Sequence, residues 1–274
     1  MEEITSELKD LQKKIKGLLR LFTEFKGLKK DPLNNVYKLE TTLSQIKKSI
    51  RSDYPISKVK DKVLNWIKPE EELIQRLKQE VRFKFGKELE EFLRQKGFRL
   101  HGQYPNLYAG LYLIKAEFER GVVSLFWGPE FIKKVKPEPA QIVEAISRFE
   151  NELTCKDWKA EDFKSRLFEA YKRVLRINEK KVEDKVPIIE VLRELVFLMQ
   201  DKKFKASPTK ANFREYSRAA FGYDLYRLKL SKEKDKLSLF IATYDATRSK
   251  EQTIFVPDSC LTGGTRYAYL SISK

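Results

Sequence analysis

Five carboxylates stand where they could hold a divalent cation: Glu117 and Glu119, two apart in an alternating run, and Asp224, Asp245 and Asp258, each at a strand end or turn. Residues two apart on a strand share a face, and two or three such oxygens near a lysine suffice for metal-assisted phosphodiester cleavage. A metal-dependent nuclease is therefore one reading of the chain. The order of residues does not strengthen it. The Pro-Asp of VPDSC has no glutamate after it, and Glu183-Asp184-Lys185 falls in a charged connector. Each of these carboxylates also suits a solvated surface.

Other chemistry is more sharply limited. His101 is the single histidine, so a site built on several imidazoles is outside the reach of one chain. Its place beside Gly102, at the entry to a QYPN turn, suits an exposed or core-edge residue better than a general base. The dipeptide Gly86-Lys87 precedes Glu88 inside an apolar-periodic helix and cannot form a phosphate loop. Gly263-Gly264 reads as a hairpin turn. Cys155 and Cys260 are far apart and show no paired spacing, which argues against a disulfide framework and a thiolate-bound zinc. No catalytic residue, cofactor or metal is assigned.

What remains is a basic, aromatic stretch, KKFKASPTKANFREYSRAAFGYDLYRLKL, at residues 202–230. Positions 202–236 hold 11 basic and 4 acidic residues. Ser207-Pro208 reads as the N-cap and first position of a helix over 208–221. On that helix Lys210, Arg214 and Arg218 would share one edge, one turn apart. With Lys202, Lys203, Lys205, Arg227 and Lys229 they form the candidate nucleic-acid contacts. Phe213, Phe221, Leu225 and Leu228 are expected beneath them in the core. The helix before it, this helix and the hairpin after it resemble a winged helix in order, with loose spacing.

Periodicity supplies the elements that must position these residues. Ile4, Leu8, Leu11, Ile15, Leu18, Phe22 and Phe25 recur at spacings of 4, 3, 4, 3, 4 and 3, which predicts one apolar seam on a first helix. That seam is the candidate interface for a protein partner or a second copy. Val36 to Ile50 predicts a second helix and residues 57–67 a short third. Pro69 with three following glutamates predicts the start of a fourth, whose seam runs from Ile74 to Phe92. Short connections favour an antiparallel hairpin or bundle over residues 1–97.

From residue 98 the period becomes 2. Residues 98–128 predict a β-hairpin, with strands near 107–118 and 122–127 and a turn at 119–121. Helices follow over 139–153, 160–177 and 187–200, then the basic helix, then strands within 225–273. The predicted fold class is α+β: a coiled-coil-like helical region, 1–97, and a mixed helical and antiparallel-sheet domain, 98–274.

The chain carries 56 Lys+Arg against 40 Asp+Glu, a net charge of +16. The excess is +8 in residues 1–100, +1 in 101–200 and +7 in 201–274. A polyanion would therefore engage the two ends. No signal peptide and no membrane-spanning run is read, so the expectation is a cytoplasmic protein with no membrane partner. The first functional reading is a non-enzymatic accessory or scaffold subunit of a DNA- or RNA-processing or defence assembly, bound to DNA or RNA. The second is a coiled-coil interaction protein whose charge serves solubility.

Overall fold

The N-terminal helices form because apolar residues recur at 3.5-residue intervals with few competing breakers, and the computed structural model places three there. It describes residues 2–51, 57–154, 157–231, 237–241 and 250–273. The chain divides into two units: residues 1–91 with 118–120, and residues 92–117 with 121–274.

In the first unit, α1 (Glu2–Leu28), α2 (Pro32–Arg51) and the start of α3 (Ser57–Gln95) pack against each other. Leu18, Phe25, Val36, Leu39, Leu43, Ile46, Ile50, Ile67 and Ile74 form the core. Trp66 sits 5.0 Å from Phe22 and 5.1 Å from Phe25, ring centre to ring centre. Lys29 donates to Glu70 at 2.7 Å, and Lys78 donates to Glu40 at 2.9 Å.

The seam of α1 is not one free interface. Ile15, Leu18, Phe22 and Phe25 are used by the unit's own core, and Leu11 is half-buried. Ile4 and Leu8 remain 63% and 60% exposed.

The expected break between a third and a fourth helix is absent. Pro69 lies inside the continuous α3. It costs that helix the bond its N–H would make to the Asn65 carbonyl. The flanking burial of Ile67 and Ile74, both at 3% exposure or less, outweighs the loss. Because Pro69 is itself exposed, Pro69→Ala restores a backbone donor without opening a cavity. It is expected to stabilise the unit by about 1–3 kcal/mol, read as a higher urea midpoint. The seam of α3 also ends differently from its expected form: Phe92 is exposed and Leu93 is fully buried.

The second unit opens with a five-stranded antiparallel meander, β1 (Leu100–Gln103), β2 (Asn106–Ala109), β3 (Tyr112–Glu117), β4 (Val122–Trp127) and β5 (Glu130–Val135), in that spatial order. Only the β3–β4 hairpin matches the expected pair. The run read as one strand over 107–118 is split at Gly110, whose φ is +58°, and a further strand begins directly after Pro129. The GxYPxLxxGxY pattern of residues 102–112 thus spells the β1–β2 hairpin and the next turn.

Then come α4 (Pro139–Leu153), α5 (Ala160–Ile177), β6 (Val186–Pro187), α6 (Ile188–Leu198), α7 (Lys202–Ala206) and α8 (Arg218–Leu230). A second antiparallel sheet joins β6, β7 (Leu237–Ile241) and β8 (Ile254–Pro257) to β9 (Gly264–Ile272). Its core draws on α5, α6, α8 and the sheet: Leu167, Tyr171, Val191, Leu195, Phe221, Leu225 and Leu270 are each 1% exposed or less.

The helix expected over 208–221 does not form. Residues 210–212 make one 3₁₀ turn, Phe213 is extended, and the helix starts at Arg218. Ser217, not Ser207, is the N-cap, accepting from the Ala220 N–H at 3.1 Å. Ser207 instead closes α7 with extended dihedrals, as the residue before a proline should. Residues 225–230, read as strand, complete α8, so the winged-helix order is lost. Among the described residues no helix is long and apolar enough to cross a membrane.

Candidate nucleic-acid interface

Residues 202–214, KKFKASPTKANFR, contain five basic residues and no acidic one. Their backbone is held at several points. The Asp201 carboxylate caps α7 by accepting from the Phe204 N–H at 2.9 Å. Asn212 donates to the Ser207 carbonyl at 2.9 Å, and the Phe204 and Phe213 rings meet edge to face at 5.5 Å. Gln200, 3% exposed, grips the far end: it accepts from the Arg214 N–H at 2.8 Å and donates to the Arg214 carbonyl at 3.0 Å. Lys202, Lys203, Lys205, Lys210 and Arg214 are all exposed on this frame.

The other three expected contacts have different work. Arg218 donates to Glu130 at 3.2 Å, to the Glu251 carbonyl at 3.1 Å and to the Thr253 carbonyl. It therefore ties the start of α8 to β5 and the approach to β8, and does not share an edge with Lys210 and Arg214. Arg227 donates to Asp224 and lies over the Trp158 ring, 4.1 Å from its centre. Its charge is spent inside the unit. Lys229 is exposed, with its ammonium 5.5 Å from the centre of the Tyr267 ring.

Arg214 also edges a cleft of about 700 Å³ lined by, among others, Trp158, Arg166, Tyr216, Asp224 and Arg227. Its floor is a buried polar network. Tyr216 donates to one oxygen of Asp224 at 2.6 Å and Arg227 to the other. Burial pushes the Asp224 carboxyl above the usual range, against the opposing pull of Arg227 and Tyr216. Burial and the neighbouring Asp224 push the Tyr216 phenol up as well. Both oxygens of Asp224 are thus engaged by partners within the unit, which gives the carboxylate a structural role in this network.

Among the described residues the remaining candidate carboxylates, Glu117, Glu119 and Asp258, each have a local setting of their own. Glu117 is on β3 beside Lys115 at 4.0 Å, whereas Glu119 lies in a 3₁₀ turn facing Arg82 at 3.3 Å and Lys78 at 3.8 Å. They do not share a strand face, because the strand ends between them. Asp258 accepts from the Thr262 N–H at 3.3 Å within its own loop. Asp245 and Cys155 lie outside the described residues. Among the described residues no group of three His, Cys, Asp or Glu side chains is placed to hold a metal ion. His101 is exposed, its ring stacked on Tyr108 at 5.7 Å.

Sequence reasoning missed Gln200 and the network around Asp224. A lone glutamine at a helix end carries no signal, and the partners of Asp224 are identified only once α8 is placed. Comparisons with family models, curated proteins and solved structures return no match for this chain.

Proposed function

We propose that this chain is a nucleic-acid-associated accessory subunit that acts without catalysis of its own in a DNA- or RNA-processing assembly. The observation that supports this is the ordered, exposed, purely cationic segment 202–214. Five positive side chains on a pinned backbone meet phosphates with less ordering cost than the same charges on a loose tail. Ile4 and Leu8, the exposed start of the α1 seam, are where a protein partner or a second copy would pack.

The test is the salt dependence of binding to labelled duplex DNA and RNA. Each phosphate neutralised contributes about 0.9 to the slope of log affinity against log salt on B-form DNA. The triple variant Lys202→Gln, Lys203→Gln, Lys205→Gln is expected to lower that slope by about 2–3 with no change in melting temperature. An unchanged slope would contradict the assignment of this segment.

A further inference from the structure

The first unit carries a second run of the same kind. Residues 11–23, LQKKIKGLLRLFT, hold four basic residues and no acidic one. Lys13, Lys14, Lys16, Gly17 and Arg20, with Ser49 across from them on α2, line a groove of about 650 Å³. All six are exposed, with buried Leu18 beneath. Lys13, Lys16 and Arg20 stand 3 and 4 residues apart, so they share one edge of α1 over about 10 Å.

One observation sets this groove apart from ordinary solvated charge, and it is not the lack of ion pairs. Four other cations of the unit are paired, Lys29 with Glu70, Lys47 with Glu71, Lys78 with Glu40 and Arg82 with Glu119, whereas among the described residues exposed Lys26, Lys38, Lys84 and Lys87 are not. Among the described residues none of the four groove cations lies within ion-pair distance of a carboxylate. The distinguishing observation is Gly17, at the centre of the groove. A glycine in a helix interior costs about 1 kcal/mol relative to alanine. Nothing lies within 4 Å of where its Cβ would be, so packing within the chain does not require it. A side-chain-free position at the centre of a cationic groove lets a backbone approach the helix closely.

We infer that the α1 groove is a second phosphodiester-binding site, seating a nucleic-acid backbone between Lys13, Lys16 and Arg20 on one side and Lys14 on the other. This rests on the nucleic-acid reading above and adds to it a site on the other unit. An anionic membrane surface would satisfy the charges, but it has no need of a groove with a glycine floor.

The experiment uses the full chain and fluorescence polarisation with labelled duplex DNA, duplex RNA and single-stranded DNA between roughly 50 and 200 mM salt. Replacing Lys13, Lys14, Lys16 and Arg20 by Gln, a comparable helix former, is expected to reduce the slope by about 3–4 and the affinity by about tenfold or more at the lower salt. A control that removes equal charge at exposed Lys26, Lys38, Lys84 and Lys87 should change affinity less than about threefold. Gly17→Phe keeps every charge and fills the groove, and is also expected to weaken binding, with helicity checked by circular dichroism.

Groove and control variants that behave alike would overturn the second site while leaving the segment at 202–214 standing. A native chain that binds none of the nucleic acids at about 50 mM salt would overturn the nucleic-acid reading itself. Groove-dependent binding to vesicles of phosphatidylserine and phosphatidylcholine, without binding to nucleic acid, would transfer the site to a membrane surface.

Discussion

Asp224→Ala is expected to destabilise the second unit by about 3–5 kcal/mol, the cost of removing one partner of a buried ion pair. The substitution leaves the Arg227 guanidinium stacked on Trp158 without its counter-charge, and the Tyr216 hydroxyl without its acceptor. Replacing the set together (Asp224→Leu, Arg227→Met, Tyr216→Phe) should recover much of the loss, because an apolar set incurs no desolvation cost. The network also sets a pH dependence. Burial holds the Asp224 carboxyl above its unfolded value, so the folded state binds the proton more readily than the unfolded chain. Between those two values stability should rise as pH falls, and the slope should vanish in Asp224→Ala. Urea unfolding followed by tryptophan fluorescence across that range measures both effects. A loss below about 1 kcal/mol would contradict the network's role.

Gly222→Ala is expected to cost about 3 kcal/mol or more, or to prevent the second unit from folding. A Cβ at Gly222 would stand 2.0 Å from the Phe255 carbonyl oxygen and 3.4 Å from Ile254. That oxygen belongs to β8, whose register with β9 fixes Phe255 opposite Arg266, so the clash cannot be relieved by turning a side chain. Gly17→Ala is the matched comparison. Both glycines are helical, but Gly17 faces open space, and alanine there should stabilise α1 by up to about 1 kcal/mol. Opposite signs at the two positions, read as shifts in thermal midpoint, are the expected result. A Gly222→Ala protein as stable as the parent would mean that α8 does not pack on β8 this closely.

Legibility from sequence followed how one-sided each element is. Helix α5 buries one face, with Phe163, Leu167, Tyr171 and Leu175 inward, and its expected bounds of 160–177 match the structure. Helix α8 is buried nearly all round: Ala219, Phe221, Gly222, Asp224, Leu225, Tyr226 and Leu228 are all inside. A helix without a polar face has no seam to detect, which is why its second half read as strand. Ser207-Pro208 misled for a different reason. Serine before proline suits the end of one helix as well as the start of the next, and only tertiary packing decides.

The same distinction runs through the candidate site. Exposed charge was read correctly as exposed for Lys202, Lys203, Lys205, Lys210 and Arg214. Arg218 and Arg227 read alike in sequence but are held by partners. Glu130 is 88 residues from Arg218, a separation at which no local pattern operates. Asp224 and Arg227, three apart on α8, looked like solvated charges and are instead each other's buried partners.

The central claim, that residues 202–214 touch nucleic acid, is tested most directly by lysine labelling. The chain is reductively methylated with and without saturating duplex at low salt, and the modified lysines are read by mass spectrometry. Protection of Lys202, Lys203, Lys205 and Lys210, with Lys38 labelled equally in both samples, is the expected result. A formed complex in which those four lysines label as freely as in the unbound protein would contradict it.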